Sequence, residues 1–238
     1  MTTPSPQIPS PPKPGLFGKH PARGDFLDSG LSPAVIAGLE RWLDGALADC
    51  RTLLSPQWEG LWDAAQDDSA TRGLCFWVGE GLAGGEVLAG VLRPSRDKVG
   101  RRYPLLLLIA APPATAPLPP LLEDPSPWID PLIAHSQDLA RREAFDTVPD
   151  LLTGLDLPAV AQGSALAGAS DLVALRPDGD TARLFADSMA ADYRRAAAQR
   201  SYWWQSNAQE TRLYTAATLP GGQALAWFLT APRSGAAA

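Results

Sequence analysis

From Val35 onward the chain sets Val35, Leu39, Trp42, Leu43, Ala46, Leu47, Cys50 and Leu54 three or four positions apart. That spacing lays one broad apolar stripe along an α-helix. Ser32-Pro33 ahead of it supplies a cap and a first-turn proline, and Ser55-Pro56 stops it. Trp58 to Ala65 predicts a second, shorter helix. The pattern then changes to short apolar runs bounded by glycine. Gly73 to Val78 and Glu86 to Leu92 read as two strands of a hairpin, and Tyr103 to Ala111 as an almost wholly apolar strand in mid-sheet. Leu16-Phe17-Gly18 reads as a short strand entering a polar loop.

The second half is less regular. Pro112 to Pro131 holds eight prolines and predicts an irregular connector, followed by a helix that starts at Pro127 or Pro131 and reaches about Phe145. A shorter helix is expected over Pro149 to Leu155. Leu172 to Arg176 with Pro177-Asp178-Gly179-Asp180 carries a hairpin turn signal, whereas Thr181 to Gln199 reads as a helix through Leu184, Phe185, Met189, Tyr193 and Ala196. Tyr202 to Gln205, Arg212 to Ala217 and Ala224 to Thr230 are expected as three closing strands. Strands come in consecutive groups, which favours an antiparallel or mixed sheet flanked by helices: an α/β protein of the α+β type. Residues 15–232 are expected to form a single domain. Residues 1–14, with six prolines, are expected as a mobile leader, and residues 233–238 as a frayed tail.

Composition narrows the function. The net charge of −6 argues against nucleic acid as a partner, since phosphate binding needs a basic field. The longest apolar run, Leu105 to Ala111, is far shorter than the roughly 20 residues of a spanning helix, and no signal-like segment opens the chain. Two isolated cysteines, Cys50 and Cys75, fit buried free thiols in a reducing cytoplasm.

No catalytic or cofactor motif survives inspection. Gly79-x-Gly81-x-x-Gly84 matches the dinucleotide pattern in letters, but a strand follows where a phosphate-cradling helix N-terminus is required. The glycines read as hairpin residues. Nucleophilic catalysis needs a nucleophile beside a base, and the only histidines are His20 and His135. Neither adjoins a nucleophile motif, and two histidines and two cysteines scattered along the chain do not make a zinc site. No cofactor is expected.

Two polar segments remain. The first is Lys19-His20-Pro21-Ala22-Arg23-Gly24-Asp25-Phe26. The second is Arg93 to Tyr103, in which Arg93, Arg96, Lys98, Arg101 and Arg102 face the single acid Asp97. One reading is an ion-paired network of Asp25, Asp97, Arg23 and Arg101 that locks the two loops side by side. The other is one cationic surface for an acidic or phosphorylated partner. Trp203-Trp204 lies in a strand pattern, so its rings face opposite sides of the sheet.

These residues resemble a known family. Leu16-Phe17-Gly18-Lys19-His20-Pro21-Ala22-Arg23-Gly24-Asp25-Phe26 is similar to the N-terminal signature of TagF (ImpM), an accessory protein of bacterial type VI secretion. Gly90 to Leu105, containing Arg93-Pro94-Ser95-Arg96-Asp97-Lys98-Val99-Gly100-Arg101-Arg102, resembles its second signature, and Ser201-Tyr202-Trp203-Trp204 its double-tryptophan strand. His20 and Arg93 depart from the usual pattern. The resemblance implies a cytoplasmic post-translational repressor of type VI secretion that engages the forkhead-associated-domain scaffold of the system. It implies no catalytic residue. Lys19, Arg23, Gly24, Asp25, Pro94, Ser95, Asp97, Gly100 and Arg101 carry over as signature positions only.

Beside that expectation stand two others. A hydrolase-like enzyme would place Asp25 or Asp97 as acid–base in a cleft beneath loops 19–26 and 93–103. A homo-oligomeric assembly component would associate through exposed tryptophans.

Overall fold

The computed structural model describes residues 12–67, 72–159, 181–207 and 210–231. Residues 1–11 of the leader, the tail from 232 on and the hairpin expected around Pro177 lie outside the described residues.

Among the described residues, seven strands form one sheet in the order β2-β1-β5-β4-β3-β6-β7. They are β1 (Pro14–Gly18), β2 (Leu27–Ser29), β3 (Leu74–Val78), β4 (Val87–Arg93), β5 (Leu105–Ala111), β6 (Ser201–Ser206) and β7 (Thr211–Ala216). Every pairing is antiparallel. Among the described residues, five α-helices flank the sheet: α1 (Pro33–Leu54), α2 (Trp58–Asp67), α3 (Ser126–Arg141), α4 (Thr181–Ala197) and α5 (Gly222–Leu229). A short 3-10 helix spans Val148–Leu152. The α+β architecture and the mid-sheet place of β5 follow the sequence pattern. No helix among the described residues is long and apolar enough to cross a membrane.

Alternation along the strands sorts the core into two layers. Phe76, Val78, Leu88, Leu92, Leu106, Leu108 and Trp203 bury against α1, α2 and α5. Cys75, Trp77, Ala89, Val91, Leu107, Ile109 and Tyr202 bury against α3, the 3-10 helix and the end of α4. The period of two along each strand separates the two sets. Trp203 and Trp204 divide between the layers as their adjacency requires, Trp203 stacking 4.8 Å from Phe76 and Trp204 lying edge-on to Trp128 of α3. Both cysteines are buried free thiols, and burial pushes Cys50 up to about 11.

Ser32 caps α1 as its sequence indicates, its Oγ accepting the Val35 N–H at 3.3 Å. Three elements differ from expectation. Ala224 to Thr230 is not a strand but lies within α5 and its C-terminal cap. A short, continuously apolar run suits either element, and here Gly222 decides: a Cβ there would meet Asp49 and the backbone of Cys50, so α5 seats directly on α1. β7 is therefore the sheet edge. α3 begins at Ser126, carries Pro131 inside it, and ends at Arg141, which frees Phe145 for another contact. The three-residue β2 is too short to leave a periodic signal.

Trp203 is 1% exposed, whereas Trp204 is half-buried. Trp203→Ala is therefore expected to lower unfolding free energy by about 4 kcal/mol, and Trp204→Ala by less than about half of that. Urea titration of both variants checks it, and equal losses would contradict the layering.

Candidate functional site: a rim built by two loops

Topology brings the two polar segments together. Gly18, the last residue of β1, pairs with Leu105 at the start of β5, and Leu105 also pairs with Arg93 at the end of β4. The loop leaving β1 and the loop joining β4 to β5 therefore emerge at one end of the sheet. Gly18 makes this junction close: its φ is +131°, and a Cβ would meet the carbonyl of Pro104. Lys19 N–H then donates to that carbonyl at 3.2 Å.

Asp97 lies where the loops join and is only 2% exposed. Its Oδ1 accepts the backbone N–H groups of Val99 (3.0 Å) and Arg101 (2.9 Å), which shapes the turn that Gly100 completes at φ +88°. Its Oδ2 accepts Lys19 Nζ at 3.0 Å and Arg101 Nε at 2.6 Å. Burial alone would raise this carboxyl. The Arg101 backbone N–H, the Lys19 ammonium and the Arg101 guanidinium overrule it and hold it well below the usual carboxylate range. Across the join, Arg101 donates to the Gly24 carbonyl at 2.5 Å, and Lys98 N–H to the Arg23 carbonyl at 2.8 Å.

The loops do sit side by side, with a membership different from the one expected. Lys19 takes the place assigned to Arg23 and Asp25. Arg23 turns away, stacking 4.7 Å over the Phe145 ring and donating to the carbonyls of Phe145 (2.7 Å) and Asp146 (3.1 Å). Asp25 is exposed and forms no ion pair among the described residues. The physical reason is reach: Lys19 extends directly from the strand end into the cavity Asp97 occupies, whereas Arg23 and Asp25 lie on the outer part of the loop.

Sequence reasoning missed the supports beneath the rim. His20 is buried, with Nε2 2.9 Å from the Leu139 carbonyl and Nδ1 accepting the Ala22 N–H at 3.1 Å. A carbonyl needs a donor and an N–H needs an acceptor, so the neutral Nε2–H tautomer is fixed. Burial lowers the His20 pKa; the Leu139 carbonyl opposes and Arg142 adds to the lowering. Trp62 of α2 donates its indole N–H to the Ser95 carbonyl at 2.8 Å, and Arg102 grips Asp63 with bonds of 2.9 and 2.8 Å. No local signal links Trp62, Leu139 or Phe145 to the loops, because each link is made only by the fold.

A cleft of about 240 Å³ opens beside the rim, lined in part by His20, Asp67, Arg93, Pro94, Ser95 and Arg141. Its chemistry is limited, since both His20 nitrogens are engaged and Asp97 already accepts four hydrogen bonds. No group of three metal-ligating side chains occurs among the described residues. Gly79 and Gly81 lie in the turn between β3 and β4, donating to the carbonyls of Arg200 (2.9 Å) and Ala198 (2.8 Å) after α4. The outer surface of the rim is cationic and partly apolar. Arg23, Arg96, Lys98 and Arg101 are exposed beside Val99 (72%) and Phe26 (46%), with Asp25 the acid among them.

Removing the central carboxylate strands Lys19, so Asp97→Ala is expected to cost about 3 kcal/mol. The two buried groups also set a pH profile. His20 is neutral in the fold, so its contribution is full above about pH 6.5 and declines as the unfolded chain takes up the proton below it. Asp97 is charged in the fold, so its contribution declines below about pH 3.9. Urea midpoints between pH 8 and 2.5 should fall in two stages, with Asp97→Asn flattening the lower one only. A lower stage unchanged by Asp97→Asn would refute the assignment.

Compared with curated proteins, the sequence matches none. The 2.05 Å crystal structure of PA0076 from Pseudomonas aeruginosa PAO1 superposes with a TM-score of 0.71 at 24% identity, covering 92% of this chain and 94% of that one, a likeness of fold. Residues 15–153, which contain both loops of the rim, match the family described as TagF N-terminal domain, type VI secretion system-associated. That match spans more than half of the 238 residues, and the chain belongs to the TagF family of type VI secretion system-associated proteins.

Proposed function

We propose that this protein is a cytoplasmic regulatory binding protein of the type VI secretion system. In this reading it represses secretion after translation by docking its rim on a forkhead-associated-domain scaffold. Family membership supplies the system. The observation that carries the docking role is the division of labour at the rim. An inner set (Lys19, Asp97, Arg101) is consumed in holding the loops, while an outer set (Lys98, Val99, Phe26) is displayed to solvent. Rigid, preorganised loops bearing cations and exposed apolar groups suit recognition of an acidic surface.

The hydrolase-like alternative finds less support. A general acid–base needs a free site for the proton it moves, and Asp97 has none. Asp25 is an exposed carboxylate outside the cleft, and among the described residues no bond joins a hydroxyl or thiol to either histidine. Nucleic acid and cofactors have no place in the proposal. Burial takes Trp58, Trp62, Trp77, Trp128 and Trp203 out of any self-association surface, and Trp227, 41% exposed, is the ring that such a reading would rest on.

Lys98→Glu with Val99→Asp changes only exposed side chains, so stability should move by no more than about 0.5 kcal/mol. Its affinity for the purified scaffold of the same secretion system, measured by calorimetry, should fall at least about tenfold. Undiminished binding by the folded double variant would sink the docking role of the rim.

A further inference from the structure

The rim continues onto a face of α1 that carries the opposite charge, and Phe26 stands at the boundary. Its ring is 46% exposed, yet it is held in place. It stacks 6.0 Å from Phe17, meets Tyr103 edge-on at 4.8 Å, and has the Lys19 ammonium 4.9 Å from its centroid. On one side lie cations. Arg101 donates to the Gly24 carbonyl, two residues before Phe26, and Lys98 N–H to the Arg23 carbonyl. On the other side Tyr103 leads to acids on α1. Burial raises the Tyr103 hydroxyl pKa, and the nearby carboxylates of Asp44 and Glu40 raise it further. Asp28 joins these two, since it pairs with Phe17 and so shares its sheet face.

Lys98, Asp28, Glu40 and Asp44 are exposed, and none of them forms an ion pair among the described residues. Nearby surface charges do find partners, as Arg102 does with Asp63 and Glu59. An ordered aromatic ring inside a polar border has the build of an interface anchor, because a ring already fixed loses little freedom when it is covered. The border here is divided, with cations on the loop side and carboxylates on the α1 side. A two-fold axis lying in this face, across the line between the lobes, sets each cationic lobe against the acidic lobe of a second copy and Phe26 against Phe26. The face is therefore complementary to itself in charge. A uniformly acidic partner would match one lobe and be repelled by the other.

We infer that this face binds a second copy of the chain, as a two-fold dimer centred on Phe26 in which Lys98 and Arg101 of each protomer lie opposite Asp28, Glu40 and Asp44 of the other. The inference does not rest on the scaffold reading, since it needs no other protein. Both use Phe26 and Lys98, so the dimer and a scaffold complex exclude one another. Exposed charge pairs are screened by salt, and a net charge of −6 on each copy opposes association. The dimer is accordingly a weak one that dissociates on dilution.

Sedimentation equilibrium of the full chain, from about 10 μM to about 0.5 mM, tests it. The weight-average mass should rise with concentration and fall back when salt is raised from about 0.05 M to about 0.5 M. Lys98→Glu should raise the dissociation constant at least about tenfold. Glu40→Lys should raise it too, although it lowers the net negative charge and simple repulsion between copies would then ease. Combining Lys98→Glu with Glu40→Lys exchanges charge between the lobes and should bring the constant back to within about threefold of wild type. Both positions are exposed, so urea midpoints should stay at the wild-type value. Asp25→Cys adds a readout of position. Cys50 and Cys75 are buried, so mild oxidation should couple two copies through position 25 alone. The inference is overturned if the chain stays monomeric at about 0.5 mM or if Glu40→Lys strengthens association. It is equally overturned if the dimer survives Lys98→Glu and is lost in Trp227→Gln, which would place the contact on α5.

Discussion

A carboxylate taken out of water survives only if its charge is fully compensated. Asp97 meets that condition with two backbone N–H groups, one ammonium and one guanidinium, drawn from segments 78 residues apart in sequence. The backbone donors fold the second loop around it, and Lys19 and Arg101 fasten the first loop to the second. Almost every feature of the rim follows. The outer face keeps its positive charge because the exposed Arg96 and Lys98 side chains take no part in holding Asp97, and neither loop can move away from the other without uncovering the acid.

Around this knot the layers act as clamps. Helix α2 holds the second loop through Trp62 and Asp63, and the segment after α3 holds the first through Phe145 and the Leu139 carbonyl. Each face of the sheet thus secures one loop. Helix α1 reaches both ends of the molecule. Its first half faces the β3–β4 turn across a partly polar pocket, and Arg51 in its last turn donates to the Arg102 carbonyl at 3.2 Å.

Local pattern made much of this fold legible. The stripe from Val35 to Leu54 and the runs that became β3, β4 and β5 declare themselves by period and by bounding glycines. The short apolar run at Ala224 did not, because its helical state depends on Gly222 meeting α1, a contact no window of sequence contains. The site divides similarly. That the loops meet was readable from where the strands must end, and Asp97 and Arg101 were readable as an acid among cations. Which cation from the first loop reaches Asp97 was not readable. Lys19, Arg23 and Asp25 are neighbours in sequence, and only the angle at which the chain leaves Gly18 selects Lys19 and turns Arg23 onto Phe145.

The most direct measurement of the central claim is a double-mutant cycle on unfolding free energy with Lys19→Met and Asp97→Ala. If Asp97 is the knot and Lys19 its buried partner, Asp97→Ala strands the buried Lys19 ammonium, Lys19→Met leaves the carboxylate to Arg101 and two backbone N–H groups, and the double variant removes both members of the buried pair. A coupling of about 1.5 kcal/mol or more is expected. Additive losses would show that the two loops are held by something else.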